Sequence, residues 1–158
     1  MLKALKLAAV CLALLCAAAQ FVRPARVNPP VAPGRALEHH VAVPPEVAEV
    51  LGRSCADCHS HQTAWPWYSQ VAPASWFVID HVNHGRRHLN FSDWARYEPG
   101  EAADLLRQIC RMTRAGSMPL DSYTLLHRRA RLTPGDVQTL CLWADAEQRR
   151  LSERAVSR

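Results

Sequence analysis

The chain has 158 residues, of which 49% are hydrophobic and 21% are charged, so it is long enough for one compact domain plus a short appendage. Its glycine and proline contents are too low for a fibrous or low-complexity protein. The formal net charge is +5, but both lysines, Lys3 and Lys6, stand near the N-terminus, and basic and acidic residues nearly balance from Pro24 onward. Because the arginines are scattered or paired and form no long basic stripe, we predict no nucleic-acid partner.

Residues 1–22 have the pattern of a signal peptide or membrane anchor, with two lysines followed by an apolar run from Leu7 to Val22. Two outcomes stay open. The small residues at 17–19 suit a signal peptidase, whereas the run is almost long enough to span a bilayer as an uncleaved anchor, which is the outcome we favour. In both cases the lysines predict a cytoplasmic N-terminus, which leaves the remainder on the periplasmic side of the inner membrane.

The rest of the chain predicts an all-α fold. Residues 23–43 are proline-rich and show little periodicity, which is typical of a linker or of a strap that runs extended over a surface. No stretch alternates apolar and polar residues long enough to propose a sheet. We predict one domain over 44–150 and a frayed tail over 151–158, with helices over 45–57, 73–87, 99–114 and from a Thr133 cap to about Leu151.

Each predicted helix has one apolar side, which should face the core. The side chains expected there are, in chain order, Val47, Val50, Leu51 and Cys55; Trp76, Phe77, Ile79 and Val82; Leu105, Leu106, Ile109 and Met112; and Val137, Leu140, Cys141, Trp143 and Ala144.

The motif that carries chemistry is Cys55-Ala-Asp-Cys58-His59. Two thiols three residues apart can reach the two vinyl groups of a haem, and the imidazole of the next residue can reach the iron. In bacteria this attachment is made outside the cytoplasm, so the N-terminal segment and the motif support each other. We therefore predict one covalent haem c, attached at Cys55 and Cys58, with His59 as an axial iron ligand.

Three other sites could use the same residues. A thioredoxin-like dithiol needs a βαβ surround, and no strand pattern precedes Cys55. A structural zinc site needs four ligands, but Cys110 and Cys141 are isolated. A disulfide between Cys55 and Cys58 would be strained and would leave His59 unexplained. Haem is the interpretation that uses all three residues.

The second axial ligand is predicted to be Met118. It lies in Ala115-Gly-Ser-Met-Pro119, a loop signal, so its thioether can point inward without belonging to a helix stripe, whereas Met112 falls on a helical apolar face. A methionine can also be a simple core filler. The other candidates are Met112, His61, His81, His84, His88 and His127.

Several segments resemble a bacterial haem-binding domain family of small exported proteins. The likeness spans Asn28 to Trp143 and includes the Met118-Pro119 loop, Tyr123 and His127; its most specific parts are Ser54 to Tyr68, Val71 to Trp76, His81 to Arg87 and Asn90 to Trp94. The resemblance implies a cytochrome c-like helical fold around one haem, and it implies no particular reaction.

Some side chains have two interpretations that the sequence leaves open. Rings in Trp65-Pro-Trp-Tyr68 could cover a haem or pack in an ordinary core. Arg86 and Arg87 could bind haem propionates or form a solvated pair, which we favour. Cys110 and Cys141 could form a disulfide or stay as two separate buried thiols.

With His–Met ligation, the expected function is electron transfer with a redox partner protein on the periplasmic side of the membrane. No catalytic residue is predicted. The alternative is a haem enzyme or sensor, peroxidase-like or gas-binding, with an open iron site and a histidine on the distal side.

Overall fold

The computed structural model describes residues 1–156, which form seven α-helices and short 3-10 helices. No strand occurs within that range, so the predicted all-α fold is confirmed. The α-helices are α1 (Leu2–Ala19), α2 (Pro45–Ser54), α3 (Ala56–His59), α4 (Ala74–His88), α5 (Pro99–Arg114), α6 (Asp121–Leu126) and α7 (Pro134–Val156). The 3-10 helices are Leu37–His39, Trp67–Gln70, Phe91–Arg96 and Arg128–Ala130.

The core is organised around α5 and α7, which pack against each other more extensively than any other pair of elements in the described chain. Leu106 on α5 and Leu140 and Ala144 on α7 are fully buried between them. The two helices are also joined by a disulfide between Cys110 and Cys141, whose Cα atoms lie 4.7 Å apart. Of the two interpretations of these cysteines, the structure has the disulfide.

Helix α1 stands apart from this core. None of its residues is buried, and it is the one helix in the described range that is long and apolar enough to cross a membrane, with a mean hydropathy of 2.0. A signal sequence has the same properties. The helix is therefore compatible with either of the two predicted outcomes.

Residues 23–43 divide into two parts. The first part runs along the domain surface, where the Asn28 side chain donates to the Thr63 carbonyl oxygen at 3.0 Å. The second part belongs to the core, because Leu37 and Val41 are buried. It is held by α7, where the indole N–H of Trp143 donates to the Ala42 carbonyl oxygen at 2.7 Å. The folded domain thus includes residues before the predicted start at position 44, since this stretch carries apolar side chains that the core covers.

Two of the apolar residues predicted on α4 are not buried. Ile79 and Val82 are each 2% exposed, as expected for the core face, but Trp76 and Phe77 are 40% and 66% exposed. Successive helical residues are about 100° apart, so one face of α4 cannot bury all four side chains. The expectation of burial was wrong for Trp76 and Phe77.

Helix bounds differ from the predicted ones at two places. The helix predicted over 45–57 is split at Cys55, so α2 ends at Ser54 and α3 begins at Ala56. Helix α7 continues to Val156 instead of fraying after Leu151, because no glycine or proline stops it there. The last two residues of the predicted tail, 157 and 158, lie outside the described residues.

Candidate functional site

A cavity of about 450 Å³ lies among α3, α4, α5 and the loop that precedes α6. Cys55, Cys58, His59 and Met118, the four residues predicted to hold a haem, all line it. Most of the remaining wall is apolar and includes Leu89, Phe91, Leu105, Ile109, Met112 and Leu120. This volume lies within the range that small-molecule and cofactor sites usually have.

The break between α2 and α3 places the motif on the cavity wall. The Cys55 amide closes α2 by donating to the Leu51 carbonyl oxygen at 3.0 Å. The Cys55 carbonyl oxygen then accepts from the amides of Cys58, at 3.2 Å, and His59, at 3.0 Å. Residues three and four positions apart on a helical turn share one face. The turn therefore presents both thiols and the imidazole to the same space.

The His59 imidazole is oriented by two backbone carbonyls. Its Nδ1 atom lies 2.9 Å from the Leu89 oxygen and 3.2 Å from the Gly85 oxygen. Because carbonyl oxygens only accept, Nδ1 carries the proton and Nε2 keeps its lone pair. Burial lowers the pKa of His59 more than these two hydrogen bonds raise it, which favours the neutral ring. A neutral histidine whose other nitrogen donates to a carbonyl is the usual arrangement of a metal ligand.

Gly85 allows α4 to pass directly over the motif. A Cβ at this position would stand 2.6 Å from the Cys58 carbonyl oxygen, a distance that real Cβ atoms do not adopt. The close approach brings the carbonyls of Gly85 and Leu89 to the imidazole. Sequence reasoning did not single out this residue, although an isolated glycine within a helical pattern is a signal of close packing.

The two motif cysteines form no disulfide and lie in a largely apolar environment. Burial raises the pKa of Cys55 to about 12 and that of Cys58 to about 11. A dithiol that exchanges disulfides needs a thiol whose pKa is lowered, and no strand adjoins the motif in residues 1–156. Both observations argue against a thioredoxin-like site.

A glycine-terminated cap at the end of α5 directs Met118 to the cavity. Gly116 has a φ of +66°, and its amide donates to the Thr113 carbonyl oxygen, while the amide of Ser117 donates to that of Met112. These two bonds form a Schellman motif, which reverses the chain direction after a helix. The reversal places Met118 on the same cavity wall as Met112, so the structure brings both thioethers to the site.

The histidine candidates fall into two groups. His81, His84 and His88, all on α4, line the same cavity as His59. His61 instead lies beside Asn90, with 2.8 Å between its Nε2 and the Asn90 Nδ2, and His127 lines a neighbouring cavity. The structure thus leaves Met112 and the three histidines of α4 as the alternatives to Met118.

One side of the cavity is closed by a hydrogen bond between α6 and the motif. The Tyr123 hydroxyl donates to the Asp57 carboxylate at 2.7 Å, and burial together with this bond raises the pKa of Tyr123. The second oxygen of Asp57 accepts from the Ala64 amide at 2.8 Å. The Tyr123 ring stacks on the His127 ring, with 4.2 Å between centroids. Asp57 occupies one of the two variable positions between the motif cysteines. Its two hydrogen bonds hold the motif against α6 and Ala64, a role that sequence reasoning missed.

Arg86 does not form a solvated pair with Arg87, because its guanidinium is hydrogen-bonded within the protein. Its guanidinium donates to the carbonyl oxygens of Ser60 and Val27, to the Asn28 side chain and to the Thr63 hydroxyl, all between 2.6 and 2.9 Å. These bonds engage it within the protein, where it clamps the N-terminal strap onto the turn after the motif. Arg87 lies exposed beside His84.

The three aromatic side chains of Trp65-Pro-Trp-Tyr68 differ in exposure and in what they contact. The Trp67 side chain is 75% exposed, so it covers no internal site. Tyr68 lines the neighbouring cavity, together with His127, and not the cavity of His59. The Trp65 ring is half-buried, with the Arg86 guanidinium 6.0 Å from its centroid.

The residues present fit a haem. The cavity is apolar, two thiols and one oriented imidazole line it from a single turn, and further thioether and imidazole groups occur on its other walls. Searches of curated proteins and of solved structures each gave no match. A family model described as a haem-binding domain matches residues 14–146, which include the whole cavity and most of the chain. The chain therefore belongs to the haem-binding domain family, and it binds haem.

Proposed function

We propose that this protein carries one haem c, attached through thioethers at Cys55 and Cys58, and that it transfers electrons to or from a redox partner protein on the periplasmic side of the inner membrane. The observation that carries the proposal is the orientation of His59, whose Nδ1 donates to the Leu89 carbonyl and whose Nε2 keeps its lone pair, on a residue that lines the same cavity as both thiols. A bound haem would supply an iron that gains and loses one electron.

The chain's own residues account for holding the group. Each thiol would form a thioether by adding its S–H across a vinyl double bond, an addition that needs neither an oxidant nor a reductant. His59 would be one axial ligand, and Met118 would be the other. A thioether ligand raises the reduction potential relative to a second imidazole, which suits a carrier.

Two features support the compartment. Lys3 and Lys6 lie in the first two turns of α1, before its apolar part, an arrangement that favours a cytoplasmic N-terminus. The Cys110–Cys141 disulfide is of a kind that persists in oxidising compartments and is rare in the cytoplasm. Both support a domain outside the cytoplasm, where c-type attachment takes place.

Attachment is tested by producing the full chain in a bacterium that matures c-type cytochromes. We expect haem to remain on the chain in a denaturing gel and to add its mass to the intact protein. The double variant Cys55→Ala/Cys58→Ala should lose both signals. The matched control Cys11→Ala/Cys16→Ala removes two thiols from α1 and should keep them. Haem that survives denaturation in the first variant would overturn the proposal.

Visible spectra of the oxidised and reduced protein distinguish an electron carrier from a haem enzyme or sensor, because they report the ligands of the iron. A thioether-to-iron charge-transfer band near the red end of the visible range is expected for His–Met ligation. High-spin iron that binds added ligands would instead support the haem enzyme or sensor, in which one of the α4 histidines lies on the distal side.

A further inference from the structure

An exposed apolar surface lies outside the haem cavity. It is formed by Trp67, Val71, Trp76 and Phe77, which we call the apolar rim. The rim includes part of the 3-10 helix Trp67–Gln70 and the first turn of α4. The two elements contact each other, and together they expose two indoles and a phenyl ring. This exposure indicates a binding partner, because soluble domains seldom leave large apolar side chains clustered in water.

The rim is tied to the end of α1 by hydrogen bonds. The Gln20 side chain both donates to the Ala72 carbonyl oxygen and accepts from the Ala72 amide, each at 3.0 Å. The Arg23 guanidinium donates to the Gln70 carbonyl oxygen at 2.7 Å. The indole N–H of Trp76 donates to the Val22 carbonyl oxygen. The domain is therefore attached directly to the residues that end the apolar segment.

The length of that segment sets the height of the rim relative to a membrane. Helix α1 has 18 residues and is about 27 Å long, slightly shorter than a hydrocarbon core of about 30 Å. The apolar run continues through Phe21 and Val22, which are both exposed. If α1 crosses the bilayer, Val22 lies at its outer boundary. Trp76, whose indole N–H is hydrogen-bonded to the Val22 carbonyl oxygen, then lies at the same depth in the membrane.

The rest of the connection cannot act as a loose tether. Arg86 donates to the Val27 carbonyl oxygen at 2.6 Å and to the Asn28 side chain at 2.9 Å, and Asn28 in turn donates to Thr63. The segment after α1 is thus hydrogen-bonded to the domain. Because of these contacts the domain stays close to the end of α1 instead of moving away on a flexible linker.

We propose that the apolar rim is inserted into the interfacial region of the outer leaflet of the membrane that α1 crosses. This inference rests on the retention of α1 as an uncleaved anchor, the outcome that the sequence favours, and it adds a second membrane contact, made by the haem domain itself. Tryptophan prefers this region because its ring is apolar and its N–H is polar. Arg23 and Arg26, both exposed, lie in the adjacent segment, where they can meet lipid phosphates.

The test uses the full-length haem protein, labelled with fluorotryptophan, in nanodiscs of phosphatidylethanolamine and phosphatidylglycerol. Fluorine NMR resonances are assigned with Trp→Phe variants. Each spectrum is recorded with and without a lipid that carries a nitroxide near its headgroup, and again with a water-soluble gadolinium chelate. The haem iron broadens resonances equally with and without each probe, so the difference between the two spectra reports the probe alone. Trp94 and Trp143, which are buried in the core, are the internal controls.

We expect the lipid nitroxide to broaden Trp67 and Trp76 strongly and to leave Trp94 and Trp143 sharp. Broadening of Trp67 and Trp76 by the gadolinium chelate, with no effect of the lipid nitroxide, would overturn the proposal. Intact mass of the same sample reports whether α1 is present, and a chain that has lost α1 would overturn it as well. Haem on the denaturing gel is independent of both results, so failure of the rim proposal is distinguishable from failure of haem attachment.

Discussion

Gly85 of α4 lies against Cys58 so closely that a Cβ on the glycine would stand 2.6 Å from the Cys58 carbonyl oxygen. This contact sets the distance between α4 and the motif. It also puts the Gly85 carbonyl oxygen 3.2 Å from the His59 Nδ1, with that of Leu89 at 2.9 Å. The tautomer of the predicted iron ligand therefore depends on a residue that has no side chain.

Gly85→Ala should lower the free energy of unfolding by about 1–3 kcal/mol, because the added methyl group forces α4 away from a backbone atom. Haem retention should fall as the His59 hydrogen bonds lengthen. Denaturant unfolding of the haem protein measures the first effect, and haem content per chain measures the second. The matched control is Gly52→Ala in α2, where a Cβ would meet nothing within 4 Å. It should be neutral or stabilising by about 0.5–1 kcal/mol. Equal effects of the two substitutions would refute the role of the contact.

Met118→Ala should leave haem attached but lower the reduction potential or open the iron to added ligands such as imidazole or carbon monoxide. Its matched control is Met112→Ala, which removes a thioether from the same cavity but from the helical stripe of α5. The control should keep the charge-transfer band near the red end of the spectrum. If Met118→Ala keeps the band, the assignment passes to Met112, whose thioether lines the same cavity. Low-spin iron without this band in the wild type would instead indicate His81, His84 or His88.

Thiol counting distinguishes the fates of the six cysteines. In the denatured haem protein with α1 present, we expect an alkylating reagent to modify only Cys11 and Cys16, because the other four are in thioethers or in the Cys110–Cys141 disulfide. If the protein is reduced first, the reagent should also modify Cys110 and Cys141, since a disulfide is reduced to thiols and a thioether is not. Mass spectrometry of the alkylated peptides reads the result. Modification of Cys55 and Cys58 would contradict covalent attachment.

Loss of that disulfide should also destabilise the domain. It closes a loop of sequence separation 31, so the double variant Cys110→Ala/Cys141→Ala should lose roughly 3–4 kcal/mol in the free energy of unfolding. The control Cys11→Ala/Cys16→Ala, with exposed positions in α1, should show no such loss. Equal unfolding midpoints for the two variants would mean that the bond does not restrain the unfolded chain.

Asp136 should make stability depend on pH in the acid range. Burial raises its pKa, but hydrogen bonds from Arg53 and Thr133 outweigh that effect, so the pKa of the folded protein lies below the usual value. The contribution to stability is therefore present above the unfolded pKa of about 3.9 and is lost as the pH falls through the folded pKa. Because solvent screens this surface carboxylate, Asp136→Asn should cost less than about 1 kcal/mol near neutral pH and progressively less in acid.

Thermal unfolding of the wild type and of Asp136→Asn at several pH values measures whether their difference in stability shrinks as the pH falls. The control is Asp145→Asn, an exposed position on the same helix. A difference between wild type and Asp136→Asn that grows on acidification would contradict the assignment.

The sequence alone determined the helical class and the family, and it identified four residues that line the cavity. Helix periodicity is local and persists in the fold, so α2, α4, α5 and α7 begin within one residue of their predicted starts. The Cys55-Cys58-His59 motif is also local, because one helical turn is enough to bring its three side chains to a common face. The residues quoted for the family resemblance fall within the matched range 14–146.

Only the tertiary structure decided which distant residues meet. Nothing within α4 shows that Gly85 touches Cys58, that Trp76 and Phe77 are exposed, or that the Trp76 indole reaches the Val22 carbonyl oxygen. The pairing of Cys110 with Cys141 likewise depends on how α5 and α7 pack. Such contacts depend on which helix faces which, and a hydrophobic pattern specifies that a face is buried without specifying its partner.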